Sequence, residues 1–166
     1  MAPRGKGRGK RQKKKKKWSL YPDLHDAVTT KLEESGILLA FNPADEEDCL
    51  KEYDTNIMGL FICRNNKCSN DGWSSKIIAV TIRLYEGSLY NARVYHQRCK
   101  GCMAPIKPRL DDDSYVERIV YRMRKWHSLQ VEKQPYRTRK GPPHEKDLCE
   151  GCLAGHCQLG RRQDGC

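Results

Sequence analysis

Nine cysteines stand among 166 residues, and seven of them fall into a spaced pattern. Four residues separate Cys63 from Cys68, two separate Cys99 from Cys102, and two separate Cys149 from Cys152. Cys157 lies five positions beyond Cys152, and His144 lies five before Cys149. Thiolates and imidazoles at such spacings wrap a tight turn so that both donors face one cation, and two turns supply the four-donor tetrahedron that zinc prefers. One Cys-x-x-Cys pair is a weak signal, because redox motifs share it. Three pairs with a flanking histidine are a strong one. Seven cysteines and His144 make eight donors, enough for two Zn2+ ions. The simplest assignment groups Cys63, Cys68, Cys99 and Cys102 in one site and His144, Cys149, Cys152 and Cys157 in the other. An interleaved scheme, in which the first pair binds with the last, stays open. His156 competes with His144 for the eighth place, and spacing favours His144. Cys49 has no partner nearby in sequence and reads as a packed or free thiol. Cys166 stands outside the pattern. His25, His96 and His127 read as surface or core histidines.

Sites of this kind are closed and structural. A catalytic zinc keeps an open position, usually among histidine or carboxylate ligands with a general base nearby. No HExxH is present, the deaminase pattern H-x-E…P-C-x-x-C is not met, and no glycine-rich phosphate loop follows a strand. The expectation is a protein that is not an enzyme and takes no small-molecule substrate. Thiol chemistry is disfavoured too, because zinc-held thiolates are poorly available for exchange.

The rest of the chain gives a reason for the metal. Leu, Ile, Val and Phe together account for only 30 of the 166 residues, and the net charge is +11. That composition lies near the border of disorder. Structural zinc contributes roughly 10–16 kcal/mol in small zinc-finger peptides and would offset so thin an apolar core. The charge is unevenly spread. Residues 1–17 carry ten basic side chains and no acidic one, whereas the remaining residues hold 22 Lys/Arg against 21 Asp/Glu. The high isoelectric point therefore belongs to a basic tail, expected to be disordered, whose chemistry suits nucleic acid, an importin groove or an acidic membrane surface. No stretch approaches the ~20 apolar residues of a membrane span, so no transmembrane segment is expected. No apolar run follows the basic N-terminus as in a secretory signal. An intracellular, reducing location, nucleus or cytoplasm, is the expectation, and there paired cysteines are read as metal ligands rather than disulfides.

Several elements must position these donors. A helix is expected over residues 20–35, with Pro22 in its first turn, Gly36 as its stop and Leu20, Leu24, Val28 and Leu32 as one apolar stripe. An acidic connector follows over 45–54. A short strand over 57–62 leads into Cys63. A hairpin of strands 76–85 and 89–96 turns at 86–88, with Tyr85 opposite Leu89, which would put Cys99 opposite Ser75. Ser114 and Glu117 read as a capping box for a second helix, whose inner face is Val116, Ile119, Val120 and Met123, continued by Trp126 and His127. Arg118, Arg122 and Lys125 share another face, which reads either as a phosphate contact or as an ordinary solvated helix face, and the solvated reading is the commoner one. Residues 130–143 read as an irregular basic connector. The fold class is α+β: a small zinc-stabilised domain with a central antiparallel hairpin or sheet, zinc-ribbon-like, with two helices. Its expected organisation is a tail over 1–17, a helix and acidic connector over 18–55, the zinc domain over 56–158 and a C-terminal tail over 159–166.

The segments 61–63 (FIC), 73–76 (WSSK), 90–95 (YNARVY), 97–102 (QRCKGC), 115–118 (YVER), 143–144 (PH), 148–152 (LCEGC) and 155–157 (GHC), in this order, resemble the 3CxxC-type zinc-finger family. The likeness runs from about residue 56 to 158 and looks closest to fungal members of unassigned role. Zygote arrest proteins and receptor-transporting proteins are more distant relatives. The resemblance implies zinc at the cysteine pairs. One branch implies RNA binding and translational control, the other trafficking of membrane receptors. The first pair departs from the family form, with four intervening residues instead of two. The C-terminal membrane segment common in the receptor-transporting branch is not found in this sequence.

Two functions follow as expectations. One is an RNA-binding module that uses the basic tail, Arg118, Arg122 and Lys125, the connector residues Arg137 and Arg139 with Lys140, and stacking aromatics such as Trp73, Tyr95 and Tyr136. The other is a protein-interaction adaptor or chaperone-like factor that presents the acidic residues 45–54 and the first helix, unless these pack on the zinc domain.

Overall fold

The computed structural model describes residues 14–132 and 143–159. In chain order the strands are β1 (Trp18–Ser19), β2 (Ala40–Phe41), β3 (Lys51–Ile62), β4 (Gly72–Tyr85), β5 (Leu89–Tyr95), β6 (Gln97–Arg98), β7 (Pro105–Ile106) and β8 (Arg109–Leu110). The helices are α1 (His25–Glu33), α2 (Asp112–Trp126) and the short α3 (Glu150–Ala154). Six strands form one sheet in the order β1-β5-β4-β3-β8, with β2 paired in parallel to the start of β5. A separate two-stranded sheet joins β6 to β7.

Both faces of the central strands are buried, which makes three layers. Ile57, Ile78, Val80, Ile82, Ala92 and Val94 point to one face and pack on Val28 and Leu32 of α1 and on Val116, Ile119, Val120 and Met123 of α2. Helix α1 is shorter than expected: it begins at His25, after a 3-10 turn over Pro22–Leu24, so only Val28 and Leu32 of the expected stripe lie on it, while Leu24 packs partly buried from the turn and Leu20 lies ahead of both. Gly36 follows the helix at φ +71°, a left-handed value that suits glycine. The expected inner face of α2 is buried, with Trp126 partly so, whereas His127 is exposed.

The start of α2 differs from the capping box. The N-cap is Asp111, whose carboxylate accepts a hydrogen bond from the Ser114 amide at 2.9 Å. Ser114 lies inside the first turn, and its hydroxyl instead accepts from the Met58 amide of β3 at 3.0 Å. Three successive aspartates offered more than one cap, and the one that frees Ser114 for the sheet is used.

The opposite face of the sheet carries Ala79, Thr81, Arg83, Asn91, Arg93 and Tyr95, all buried. Two covers lie on it. Toward Tyr85 the acidic connector crosses as a strap. Arg93 Nε donates to Asp45 at 2.6 Å and its Nη2 to Glu47 at 3.1 Å, while Arg83 donates to the Glu46 and Glu47 carbonyls. Asn91 donates to the carbonyls of Asn42 and Ala44. Buried guanidinium groups require such pairing, since an unpartnered buried charge costs several kcal/mol. The connector is thus tied to the sheet through its carbonyls and Asp45, while residues 43–48 remain exposed on its outer side, and its last residues are strand: β3 begins at Lys51, six residues earlier than expected. The other cover is the C-terminal cysteine cluster. Residues 18–55, read above as a segment ahead of the zinc domain, supply β1, α1, β2 and the start of β3 to the same sheet and core.

Candidate metal centres

The hairpin register has Tyr85 opposite Leu89, as expected, and runs to Val80 opposite Val94. It does not continue to Cys99. Past Tyr95 the chain leaves the ladder, and the Gln97 side chain takes over: it donates to the Ile77 carbonyl at 2.9 Å and accepts from Trp73 Nε1 at 3.1 Å. β6 and β7 then wrap the turn that carries Cys99 and Cys102. Within it the Cys99 amide donates to the Ala104 carbonyl at 3.0 Å and the Met103 amide to the Cys99 carbonyl at 2.8 Å. The loop after β3 supplies Cys63 and Cys68, with the Cys68 amide bonded to the Asn65 carbonyl at 2.9 Å.

These two turns bring four sulfurs together. Cys63 Sγ is 3.7 Å from Cys102 Sγ, and Cys68 Sγ is 3.7 Å from Cys99 Sγ. A tetrahedral zinc with ~2.3 Å sulfur bonds has sulfur–sulfur edges of about 3.8 Å. A disulfide would need ~2.05 Å. The donor set and its edge lengths fit a zinc site made of four cysteines. Hydrogen bonds involving the Ala104 backbone and then the Asn65 side chain bring the Cys102 thiol down to about 7, toward the thiolate that zinc takes.

The second group is His144, Cys149, Cys152 and Cys157, whose ligand atoms lie within 4.8 Å of one another. His144 Nε2 is 3.2 Å from Cys152 Sγ and 3.6 Å from Cys157 Sγ, against about 3.6 Å for a nitrogen–sulfur edge around zinc. Cys149 caps α3, its sulfur accepting from the Cys152 amide at 3.4 Å, and Gly155 ends the helix at φ +79°. Cys149 and Cys157 are each 1% exposed and pack with Ala79 and Tyr95. Contact with Cys157, then burial, pushes the Cys149 thiol strongly up. Crowded sulfurs cannot all ionise alone, and a dication reverses that balance. Each tetrad could therefore hold one zinc ion, and the pairing is the simple one rather than the interleaved one. His156 is not in either group: its Nδ1 lies 3.0 Å from an Asp54 carboxylate oxygen, and its ring stacks on Tyr95 at 5.8 Å.

A domain model described as a zinc-binding domain of the 3CxxC zinc-ribbon type matches residues 56–155, more than half of the chain. The chain belongs to the 3CxxC zinc-ribbon family. No match was found among curated proteins or among solved structures. This 3CxxC domain uses two glycines that the cysteine spacing did not single out. A Cβ on Gly101 would lie 2.6 Å from Cys68 Sγ, and one on Gly151 would lie 2.4 Å from the Ala79 Cβ. The signal was present as Cys-x-Gly-Cys in both knuckles.

The residues expected to contact RNA fare differently in the 3CxxC fold. Arg122 lies over the Tyr53 ring at 3.2 Å, Arg118 is half-buried, and Lys125 is exposed on α2. Trp73 is half-buried with one face stacked on Phe61 at 4.8 Å, and Tyr95 is 2% exposed, so the Tyr95 ring is not open to a base. Arg137, Arg139, Lys140 and Tyr136 lie outside the described residues, as do residues 1–13 of the expected tail and Cys166. Cys49 is half-buried and belongs to neither tetrad. Among the described residues no helix is long and apolar enough to cross a membrane.

Proposed function

We propose that the chain is a non-catalytic zinc module that binds RNA where its basic N-terminal run meets the sheet. Four protein donors at each tetrad support the structural role, because a catalytic zinc leaves a position for water or substrate. The observation that carries the RNA reading is a cleft lined by Lys14, Lys15, Lys16 and Lys17 together with Lys107 from the zinc-held region. The run is tied down there. The His96 amide donates to the Lys17 carbonyl at 2.8 Å, and Trp18 pairs with Tyr95 in the ladder. Asp45, the carboxylate in the cleft, is already engaged by Trp18 Nε1 at 2.6 Å and by Arg93. Five ammonium groups without a free counter-charge favour a chain of phosphates.

Titration of a labelled single-stranded RNA at several salt concentrations tests this. Replacing Lys14, Lys15, Lys16 and Lys17 by alanine lowers the slope of log affinity against log salt by about 2–3, at ~0.7 per phosphate contact, and Lys107→Ala lowers it further. An unchanged slope in both variants, or affinity unaltered after zinc is stripped, rejects a site built jointly by the run and the zinc-held sheet.

A further inference from the structure

The two metal centres meet on a segment of three residues. β6 leads directly into Cys99 of the first tetrad, and its outer partner β7 closes that knuckle. On its other side the same segment holds the second knuckle. Gln97 bridges to Cys149 in antiparallel fashion, and the Glu150 amide donates to the His96 carbonyl at 3.1 Å. The neighbours of the ligands are also paired. Arg98, which precedes Cys99, donates from Nε to Oε1 of Glu150, which follows Cys149, at 2.7 Å. The Glu150 side chain is 3% exposed, and its Oε2 has no hydrogen-bond partner. A buried carboxylate held by one partner depends strongly on that partner.

We infer that residues 96–98 and the Arg98–Glu150 pair couple the two zinc sites, so that an ion in one site raises the affinity of the other. A metal site is rarely preformed in the metal-free chain, so the ion must order its surroundings. Either ion orders residues 96–98. The second ion then finds its wall already fixed, which is positive cooperativity carried by a shared element. Linkage makes the effect reciprocal: each site strengthens the other by the same factor. The inference rests on the zinc reading of both tetrads and is independent of RNA binding.

Native mass spectrometry of the full chain, equilibrated in zinc buffered by a chelator, reads the effect directly. Two independent sites leave at least half of the molecules singly loaded at half saturation, whatever their relative affinities. Tenfold coupling between sites of equal affinity lowers that share to about a quarter. The wild-type chain is expected below half. Glu150→Gln and Arg98→Gln are expected to raise the singly loaded share toward or above half while still taking up two ions at excess zinc. A wild-type share at or above half that neither variant raises overturns the coupling. A low share that neither variant alters overturns its assignment to the Arg98–Glu150 pair. Uptake of no zinc overturns the metal reading itself, a result distinct from both. Should one variant fail to fold, the other still decides, and a wild-type share below half by itself establishes coupling.

Discussion

The two tetrads present similar donors in unlike surroundings. The first draws its ligands from two loops more than thirty residues apart, at the end of the β3–β4 ladder, and three of its four cysteines are half-exposed. The second draws all four from residues 144–157 and lies against the sheet, with Cys149 and Cys157 buried beside Ala79 and Tyr95. Equal coordination chemistry does not mean equal structural weight. One ion closes a pair of loops, while the other holds a layer on a sheet face.

The largest expected effect comes from removing both ions. A strong chelator is expected to abolish the cooperative thermal transition followed by circular dichroism, consistent with the roughly 10–16 kcal/mol of structural zinc in small peptides. A transition that survives with no zinc left in the mass spectrum would mean that the apolar layers suffice, and neither ion would then carry the weight assigned to it. Next come single ligands. Cys149→Ser is expected to destabilise by more than about 4 kcal/mol, the range in which metal loss falls, and to exceed Cys63→Ser. Denaturant titrations with the order reversed would invert the comparison. Zinc counting sharpens the second site: His144→Ala should lose one ion, and His156→Ala should keep both, because His156 is turned to Asp54.

Smaller effects separate the two knuckles further. Gly151→Ala pushes a methyl into Ala79 and lifts the second knuckle from the sheet, at a cost of about 1–3 kcal/mol. Gly101→Ala pushes only on Cys68 Sγ, so it should weaken zinc retention at the first site with a smaller change in melting temperature. Equal melting shifts for the two variants would argue against the difference in weight. The smallest effect is Asp111→Ala, which removes the α2 N-cap for about 1 kcal/mol and leaves the zinc count at two.

The legible parts of this molecule were the local ones. Paired cysteines, Val28 and Leu32 on α1, the inner face of α2 and the turn between Tyr85 and Leu89 each depend on residues within a few positions of one another. The obscure parts depend on distant ones. Asp45 and Glu47 look like a solvated acidic run until Arg93, more than forty residues away, is placed against them. The polar stretch that opens β3 has no strand periodicity of its own, and its ladder with β4, Lys51 opposite Leu84 and Asp54 opposite Thr81, makes it one. Tyr95 carries the same side chain whether it stacks on a base or on His156, so composition alone could not show that it is buried. The capping box failed for a related reason: a serine three residues before a glutamate also suits a tertiary bond to Met58.

The two covers of the polar sheet face stand on opposite sides of β4 and β5 in the chain, and this gives synthesis an order. The strap over 42–48 leaves the ribosome before the strands it covers, so Arg83 and Arg93 meet their counter-charges as soon as the hairpin pairs. Ala79 and Tyr95 wait for residues 149–159, which are translated last among the described ones. A nascent chain paused before Pro143 therefore carries a paired sheet with one bare strip, the kind of exposed surface on which incomplete chains associate. Closing that strip takes the C-terminal knuckle, which a zinc ion at the second tetrad would hold together.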